Sequence, residues 1–208
     1  MIINNERIIR IREVLEYRQE DLLLILDNIH DPHNASAILR SADAFGIDSS
    51  HFLYTRDEQL ELSDGVSGHT LKWSNISTYD STTELMKIMR TRKIPVIATV
   101  IGENAKSYEK RDWTLPAAIV FGNEQNGCSD EILKIADELI TIPMLGFAQS
   151  LNVSVAAAII FSEIRRQREK KGMYKKNWSK RKQEWLDYWI EREYASRLRR
   201  KLPKTPKP

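Results

Sequence analysis

Short apolar runs alternate with helical segments along most of this chain, and that alternation limits the fold more than any other feature. Six runs read as strands: LLLIL (22–26), HFLYT (51–55), SNIST (74–78), PVIATVI (95–101), AAIVF (117–121) and LITIP (139–143). Helical patterns lie between and around them, at 5–19, 28–47, 81–92, 129–136 and about 150–170. Strands that are apolar on both faces are typical of a sheet covered on two sides. We therefore predict an α/β fold with a mostly parallel sheet and helices on both faces.

Composition excludes several classes of protein. The longest apolar runs, LLLIL (22–26) and VAAAII (155–160), are far shorter than a membrane-spanning helix requires. The sequence shows no charged-then-apolar signal segment at its start, so we expect a cytoplasmic protein. A single cysteine, Cys128, excludes a disulfide framework within the chain and a metal cage of cysteines. His30 and His33 are the only close pair of histidines and no carboxylates complete a ligand set, so we expect no metal site.

Charge is divided unevenly along the chain. Residues 1–164 carry 15 Lys and Arg against 24 Asp and Glu, whereas residues 165–208 carry 17 against 5. Such a tail suits an acidic partner, either nucleic acid or a membrane surface, or is a solvated tail without a specific partner. Nucleic acid is favoured because the tail also carries aromatic side chains that can stack on bases: Trp178, Trp185, Tyr188, Trp189 and Tyr194. The end of the chain, KLPKTPKP (201–208), is expected to be disordered.

The segment NIHDPHNASAILRSADAFGI (28–47) is predicted to open a helix. Asp31 can cap this helix, and Pro32 suits its first position, where a backbone N–H would have no partner. One apolar stripe follows at helical spacing: Ala35, Ile38, Leu39, Ala42 and Phe45. Arg40 projects roughly opposite that stripe, and Asn34, which would lie about 120° from Arg40 if both were helical, is assigned to the preceding turn. Taken alone, the two residues suit a surface arginine and a capping asparagine.

Three strand ends are rich in glycine and polar residues. They are ATVIGEN (98–104), FGNEQNG (121–127) and IPMLGFAQSLN (142–152). Ligands of open α/β sheets bind outside the carboxyl ends of the strands, so these segments predict a small-molecule site at one edge of the sheet. The chain lacks the G-x-G-x-x-G and G-x-x-x-x-G-K-S/T patterns of dinucleotide and P-loop sites, and the G-x-S-x-G pattern of α/β-hydrolases.

The predicted N-terminal helix carries three arginines on one side. Arg7, Arg10 and Arg18 project within about 80° of one another on the helix. Such a cluster either holds phosphates or only forms the solvated side of the helix. The candidates for gripping an RNA backbone are Arg7, Arg10, Arg18, Arg165, Arg166 and Arg168.

Three longer segments carry a resemblance to a known family. They are NIHDPHNASAILRSADAFGI (28–47), IVFGNEQNGCSDEI (119–132) and ITIPMLGFAQSLNVSVAAAIIFSEIRR (140–166). In this order and spacing they resemble the three motifs of the SpoU/TrmH family of RNA ribose methyltransferases, in the knotted SPOUT group. The resemblance covers roughly residues 5–170 and looks closest to the tRNA guanosine-18 branch, on RIIRIREVLEYRQEDL (7–22) and DPHNASAILRSADAFGI (31–47).

This resemblance implies a homodimer in which a C-terminal trefoil knot forms the pocket for S-adenosylmethionine. The residues that it places against the adenosine part of this methyl donor are Thr99, Gly122, Ile142 and Leu151. Three of these lie at the strand ends identified above from the residues alone. The resemblance also implies that Asn34 and Asn152 orient Arg40 and the ribose. Glu124 and Ser150 complete the polar wall of the implied site.

Arg40 is the residue that the resemblance implies for deprotonating the ribose 2′-hydroxyl, which then attacks the methyl group. A guanidinium does not release its proton at neutral pH. Either a neighbouring RNA phosphate assists, or Arg40 instead holds that phosphate and stabilises the developing alkoxide. Cys128 has no activating neighbour in the sequence, and methyl transfer to a ribose oxygen needs neither a cysteine nucleophile nor a metal.

The expected function is therefore S-adenosylmethionine-dependent 2′-O-methylation of guanosine 18 in the D-loop of tRNA. The same chemistry at a wobble-position or ribosomal RNA ribose is one alternative, and a non-catalytic RNA-binding module is another. We expect a basic N-terminal helix over 1–20, a SPOUT methyltransferase domain over 21–170, and a basic, aromatic-containing extension over 171–208, with helices in both extensions.

Overall fold

The computed structural model describes residues 3–56, 73–102, 104–175 and 177–201, with the backbone alone for 199–201. The residues 202–208 of the end that we predict to be disordered lie outside these ranges. Within them, the helices are α1 (Asn5–Glu16), α2 (Pro32–Ala44), α3 (Thr82–Arg92), α4 (Asp130–Ile135), α5 (Val153–Lys170) and α6 (Lys180–Lys201). The strands are β1 (Gln19–Asp27), β2 (Ile47–Leu53), β3 (Asn75–Tyr79), β4 (Val96–Thr99), β5 (Lys106–Ser107), β6 (Ala117–Gly122) and β7 (Glu138–Thr141).

The chain divides into two compact units. One unit combines Met1–Arg18 with Lys175–Pro208, and the other is Gln19–Tyr174. The two ends of the chain, which the sequence prediction treats as separate regions, thus contribute to one unit, in which α1 packs against α6. No helix in the described ranges combines the length and the apolar character needed to cross a membrane.

The larger unit is built on one seven-stranded sheet in the order β3-β2-β1-β6-β4-β7-β5. Every neighbouring pair of strands is parallel. The parallel α/β sheet predicted from the apolar runs is therefore confirmed. The two-residue strand β5 was not predicted because so short a segment carries no hydrophobic periodicity.

Alternate residues of the central strands face two separate cores. On β1, Leu22 and Leu24 face one core, whereas Leu23 and Ile25 face the other. The first core is completed by α2 and α5, and the second by α3 and α4. The apolar stripe predicted for α2 lies in the first core, where its residues are buried or pack against buried side chains. Helices on both faces explain why the strands are apolar on both sides.

Helix boundaries follow the capping residues more closely than the apolar pattern does. Asp31 caps α2 as predicted, since its side chain accepts a hydrogen bond from the backbone N–H of His33 (2.8 Å). The helix predicted over 5–19 ends at Glu16, because β1 already begins at Gln19. The helix predicted from about residue 150 begins at Val153, after the cap Asn152.

Candidate active site

The carboxyl ends of three strands enclose a cavity of about 840 Å³. Its walls are the segments after β4, β6 and β7: residues 99–102, 121–128, and 140–142 with 144 and 149–153. This volume is within the range of roughly 300–1,000 Å³ that small-molecule sites occupy. The three polar strand ends selected from the sequence therefore meet at one site, on the edge where the parallel strands end.

One asparagine that the sequence reasoning did not single out organises the loop after β6. The Asn123 side chain accepts hydrogen bonds from the backbone N–H groups of Gln125 (2.8 Å) and Asn126 (3.2 Å). It also donates to the backbone carbonyl of Asn28 (2.9 Å). The Gly127 N–H closes the loop on the Asn123 carbonyl (2.9 Å). Asparagine directly after a strand commonly forms such a turn, which is the pattern that would have identified it.

Gly122 is needed at the end of β6 for steric reasons. A Cβ at this position would lie 2.1 Å from the backbone nitrogen of Cys128 and 2.1 Å from the carbonyl carbon of Gly127. No side chain fits such a gap, so the loop of residues 123–127 returns directly over the strand end. Gly127 ends the loop at φ +68°, in the left-handed region that glycine adopts without strain.

Two residues at the end of β1, which the sequence reasoning also missed, bond to the segments that follow β6 and β2. Asp27 is buried and accepts a hydrogen bond from the backbone N–H of Ser129 (2.6 Å). Burial raises the pKa of the Asp27 carboxyl. Asn28, at φ 52°, donates to Asp27 (2.7 Å) and accepts from the N–H of Thr55 (3.0 Å). A polar pair at the end of an apolar strand is the pattern that could have located them.

Three of the predicted site residues form a continuous hydrogen-bonded chain. The Asn34 amide donates to the Glu124 carboxylate (2.9 Å), and the Asn152 amide donates to the Asn34 side-chain oxygen (3.0 Å). Asn152 also caps α5 by accepting from the N–H and the hydroxyl of Ser154 (2.8 and 2.6 Å). Residues far apart in the chain are thereby held together: Glu124 and Asn152 line the cavity, and Asn34 lies beside it, bonded to both.

The assignment of Asn34 to the turn before α2 is wrong. Asp31 is the cap and Pro32 the first helical residue, so Asn34 lies in the first turn of α2 itself. From there its amide reaches two other segments rather than the backbone of its own turn. Ser150 is exposed and lines the cavity, two residues before Asn152, which caps α5.

Arg40 lies on the exposed side of α2, away from the buried stripe, as predicted. It does not line the cavity. Its position on the helix is six residues beyond Asn34, which corresponds to about 9 Å along the axis and about 120° around it. Within one chain, Asn34 bonds to Glu124 and to Asn152, and neither asparagine bonds to Arg40 in the part of the chain described.

The four residues selected for the adenosine part all line the cavity: Thr99, Gly122, Ile142 and Leu151. The Thr99 hydroxyl donates to the Val120 carbonyl (2.8 Å), so its side chain is held in the sheet. The cavity is therefore bordered by apolar side chains and strand-end backbone on one side. Glu124, Ser150 and Asn152 supply its polar side.

Two of the predicted RNA-binding arginines are structural. Arg168 is fully buried, and its five N–H groups donate to acceptors from four residues: Gln19, Asp21 (two bonds, 2.6 and 3.0 Å), Trp113 and Leu115. Arg18 is 4% exposed and lies 5.8 Å from the Trp189 ring centre. The prediction that Arg18 and Arg168 bind the RNA backbone is therefore wrong, because neither buried guanidinium is available to a phosphate.

The other four predicted RNA-binding arginines are partly or largely exposed, and each faces a carboxylate. Their ion pairs are Arg7 with Glu193 (3.9 Å), Arg10 with Glu13 (3.2 Å), Arg165 with Glu169 (3.6 Å) and Arg166 with Glu163 (2.6 Å). The pairs of Arg10 and Arg165 are exposed on both sides and contribute only about 0–1 kcal/mol, so a phosphate can compete for these two arginines. The carboxylates that face Arg7 and Arg166 are largely buried.

Cys128 is unsuited to nucleophilic chemistry. It is buried, its thiol donates to the Thr99 carbonyl (3.3 Å), and burial raises its pKa to about 12. A thiol in that state stays protonated at neutral pH and does not attack an electrophile. Among the described residues, no group of three or more His, Cys, Asp or Glu side chains is placed to hold a metal ion.

Fold and site together define an α/β protein with a small-molecule pocket at the carboxyl edge of a parallel sheet. Residues 21–162 match the sequence profile described as the SpoU rRNA Methylase family. A relative from Aquifex aeolicus, named tRNA (guanosine(18)-2′-O)-methyltransferase, is 40% identical over 173 residues, 83% of this chain and 82% of the relative. A relative of the same name from Thermus thermophilus is 44% identical over 165 residues, 79% of this chain and 84% of its own length.

Solved structures give the same result. The crystal structure of the A. aeolicus TrmH/SpoU tRNA modifying enzyme superposes with a TM-score of 0.83 at 38% identity, covering 92% of this chain and 96% of that one. The SpoU methyltransferase AviRb from Streptomyces viridochromogenes, in complex with the cofactor AdoMet, superposes with a TM-score of 0.67 at 27% identity, covering 80% and 65%. The chain belongs to the SpoU methylase family.

Proposed function

We propose that this protein transfers a methyl group from S-adenosylmethionine to the ribose 2′-hydroxyl of guanosine 18 in tRNA. The observation that carries the proposal is the cavity at the strand ends, with Asn34, Glu124 and Asn152 bonded together at its polar end. The assignment of guanosine 18 of tRNA as the methylated nucleotide is supported by relatives whose names state this activity and that align with about four-fifths of the chain.

The residues of the cavity fit S-adenosylmethionine. Ile142 and Leu151 offer an apolar surface to the adenine, and Gly122 and the loop that follows it line the cavity. Among the described lining residues, Glu124 is the only carboxylate, and its charge complements a cationic ligand. When bound, the cofactor supplies an electrophilic methyl group on a positively charged sulfur.

The proposed transfer is a single displacement. The ribose 2′-oxygen bonds to the methyl carbon, the carbon–sulfur bond breaks with its electron pair on sulfur, and the hydroxyl proton passes to water. Asn34 and Asn152 hold the polar end of the site, and Ser150 and Glu124 complete its wall. Because a guanidinium keeps its proton, we assign Arg40 to the phosphate next to the ribose, where its charge stabilises the developing alkoxide. The proposed step uses no metal ion.

We further propose that the protein acts as a homodimer and that Arg40 serves the cavity of the partner subunit. Arg40 does not line the cavity of its own chain, and in the proposed dimer it reaches the cavity of the other subunit. Leu145 and Phe147 are fully exposed in the segment after β7, and Val155 is half-exposed at the start of α5. A second copy would cover these apolar side chains.

Two finer features belong to the same proposal. We propose that the segment from β7 to α5 follows the knotted path of the SPOUT group, which is consistent with its lining the same cavity as the loops after β4 and β6. We also propose that the protein acts in the cytoplasm, since unmodified tRNA is its substrate in this proposal.

The function is tested by methyl transfer from labelled S-adenosylmethionine to an unmodified tRNA transcript, with alkaline digestion of the product. A 2′-O-methyl group blocks cleavage at its own linkage, so label in the resistant dinucleotide that begins with Gm18 establishes both the reaction and the nucleotide that is methylated. Label in another dinucleotide would overturn the assignment to guanosine 18. Absence of label on tRNA and ribosomal RNA alike would overturn the activity. Arg40→Ala should abolish transfer while leaving cofactor affinity, measured by calorimetry, within about twofold of wild type.

A further inference from the structure

Helix α6 carries two different faces. One stripe is buried and consists of Lys182, Leu186, Trp189 and Glu193. Residues of this stripe bond to α1, as when Lys182 donates to the Glu16 carbonyl (3.1 Å) and Glu193 pairs with Arg7 (3.9 Å). The packing of the smaller unit therefore uses this stripe.

A second stripe, about 100° around the helix, combines cations with aromatic rings. Its members are Arg181, Trp185, Tyr188 and Arg192, which lie within about 60° of one another and span about 16 Å of the helix axis. We call these four residues the α6 ladder. The Arg181 guanidinium lies 5.7 Å from the Trp185 ring centre, and that of Arg192 lies 5.5 Å from the ring centre of Tyr188. The Trp185 and Tyr188 rings meet edge to face at 5.6 Å.

The α6 ladder has the chemistry of a nucleic-acid surface rather than that of a protein core. Tyr188 remains 46% exposed and Trp185 is partly exposed, although the same helix already buries Trp189 for its packing. The ladder lies in a segment, 175–208, that carries 12 Lys and Arg against 4 Asp and Glu. Unpaired bases stack on exposed aromatic rings, and arginines beside those rings bind the adjoining phosphates.

We propose that the α6 ladder binds unpaired nucleotides of the substrate tRNA, by stacking bases on Trp185 and Tyr188 while Arg181 and Arg192 hold the phosphates. This inference rests on the proposed function for the identity of the RNA. A base that stacks on either ring takes the place of the guanidinium, which moves to the neighbouring phosphate. Paired bases cannot reach the rings, so the ladder selects the loops of a tRNA rather than its stems.

The test compares the full-length protein with the double variant Trp185→Ala/Tyr188→Ala in binding a fluorescently labelled tRNA transcript. The dissociation constant should rise at least about tenfold, since each stacked base contributes substantially to affinity. The slope of log affinity against log salt should stay unchanged because no cation is removed. Arg181→Gln/Arg192→Gln should lower that slope. Trp185→Phe/Tyr188→Phe should restore binding to within about threefold of wild type.

Tyr194→Ala is the matched control, because Tyr194 is also 46% exposed on α6 but lies about 150° from the ladder. It should bind tRNA as the wild type does. An uninterrupted RNA duplex should bind the wild type and the double variant equally. If circular dichroism shows the double variant unfolded, Tyr188→Ala alone provides the comparison.

Equal tRNA affinity of the wild type and the double alanine variant would overturn the inference. The ladder would then serve a protein partner or only the structure of the helix. That result leaves the proposed function intact when the wild type methylates tRNA. Absence of methylation by the wild type itself would instead overturn the proposed function.

Discussion

At the scale of single residues, burial decides what an arginine does. Arg168 belongs to the basic sequence RRQREKK, yet it is enclosed by Asp21, Gln19 and backbone carbonyls that satisfy all five of its donors. Arg165, one turn earlier on α5, is half-exposed and pairs with Glu169 across one helical turn. Two arginines three residues apart therefore have opposite roles, one inside the protein and one at its surface.

Arg168→Ala should lower the free energy of unfolding by about 3–5 kcal/mol, because it leaves the Asp21 carboxylate and two carbonyls without their buried partner. Denaturant unfolding monitored by circular dichroism measures this change. Arg165→Ala is the control and should change the free energy by less than about 1 kcal/mol. If Arg168→Ala weakened tRNA binding without lowering stability, that result would show that Arg168 binds RNA, which its burial in the structure argues against.

At the scale of elements, the site is built from the loops that leave the carboxyl ends of the strands. β6 ends in Gly122, and the next five residues return over the strand end through the Asn123 turn. The elements themselves were predictable, since apolar runs, the Asp31 cap and the Pro32 start are local features. The supporting residues Asp27, Asn28 and Asn123 were not identified, although each is a polar residue directly at or after the end of an apolar strand. The bonds of Asp27 to Ser129 and of Asn123 to Asn28 join distant segments and are not visible in the sequence.

Gly122→Ala should displace the loop of residues 123–127, since its Cβ would lie 2.1 Å from backbone atoms that cannot rotate away. We expect affinity for S-adenosylmethionine to fall at least about tenfold and stability to fall by about 1–3 kcal/mol. Isothermal calorimetry and thermal unfolding measure the two effects. Gly146→Ala, whose added Cβ would meet no atom within 4 Å, should leave both unchanged. Wild-type cofactor affinity in Gly122→Ala would show that the loop does not shape the pocket.

At the scale of the whole molecule, the position of Arg40 relative to the cavity is the decisive feature. One chain brings Asn34, Glu124 and Asn152 together but leaves Arg40 outside the cavity. The proposed homodimer, in which Arg40 serves the pocket of the partner subunit, would account for both observations. Such a composite site makes a prediction that a site within one chain does not.

Two inactive variants should restore activity when they share a dimer. Arg40→Ala retains its pocket, and Leu151→Trp fills the pocket but retains Arg40. In the mixed dimer, the intact pocket of the first variant faces the intact Arg40 of the second. The two variants are mixed in equal amounts, unfolded and refolded together. About a quarter of wild-type methyl transfer should then be recovered, because half of the dimers are mixed and each mixed dimer has one complete site. Native mass spectrometry confirms the mixing, and no recovery in mixed dimers would place Arg40 in its own chain's site.

The sequence by itself determined the class of fold, the order of the helices and of every strand in the described ranges except β5, the start of α2 and the three strand ends that border the cavity. These features depend on periodicity, capping and backbone preference, which are local properties of the chain. Only the tertiary structure decided that Asn34 bonds to Glu124 and Asn152, that Arg18 and Arg168 are buried, and that Arg40 lies outside the cavity. Such contacts join residues distant in the chain, and the packing of helices on the sheet determines which of them meet.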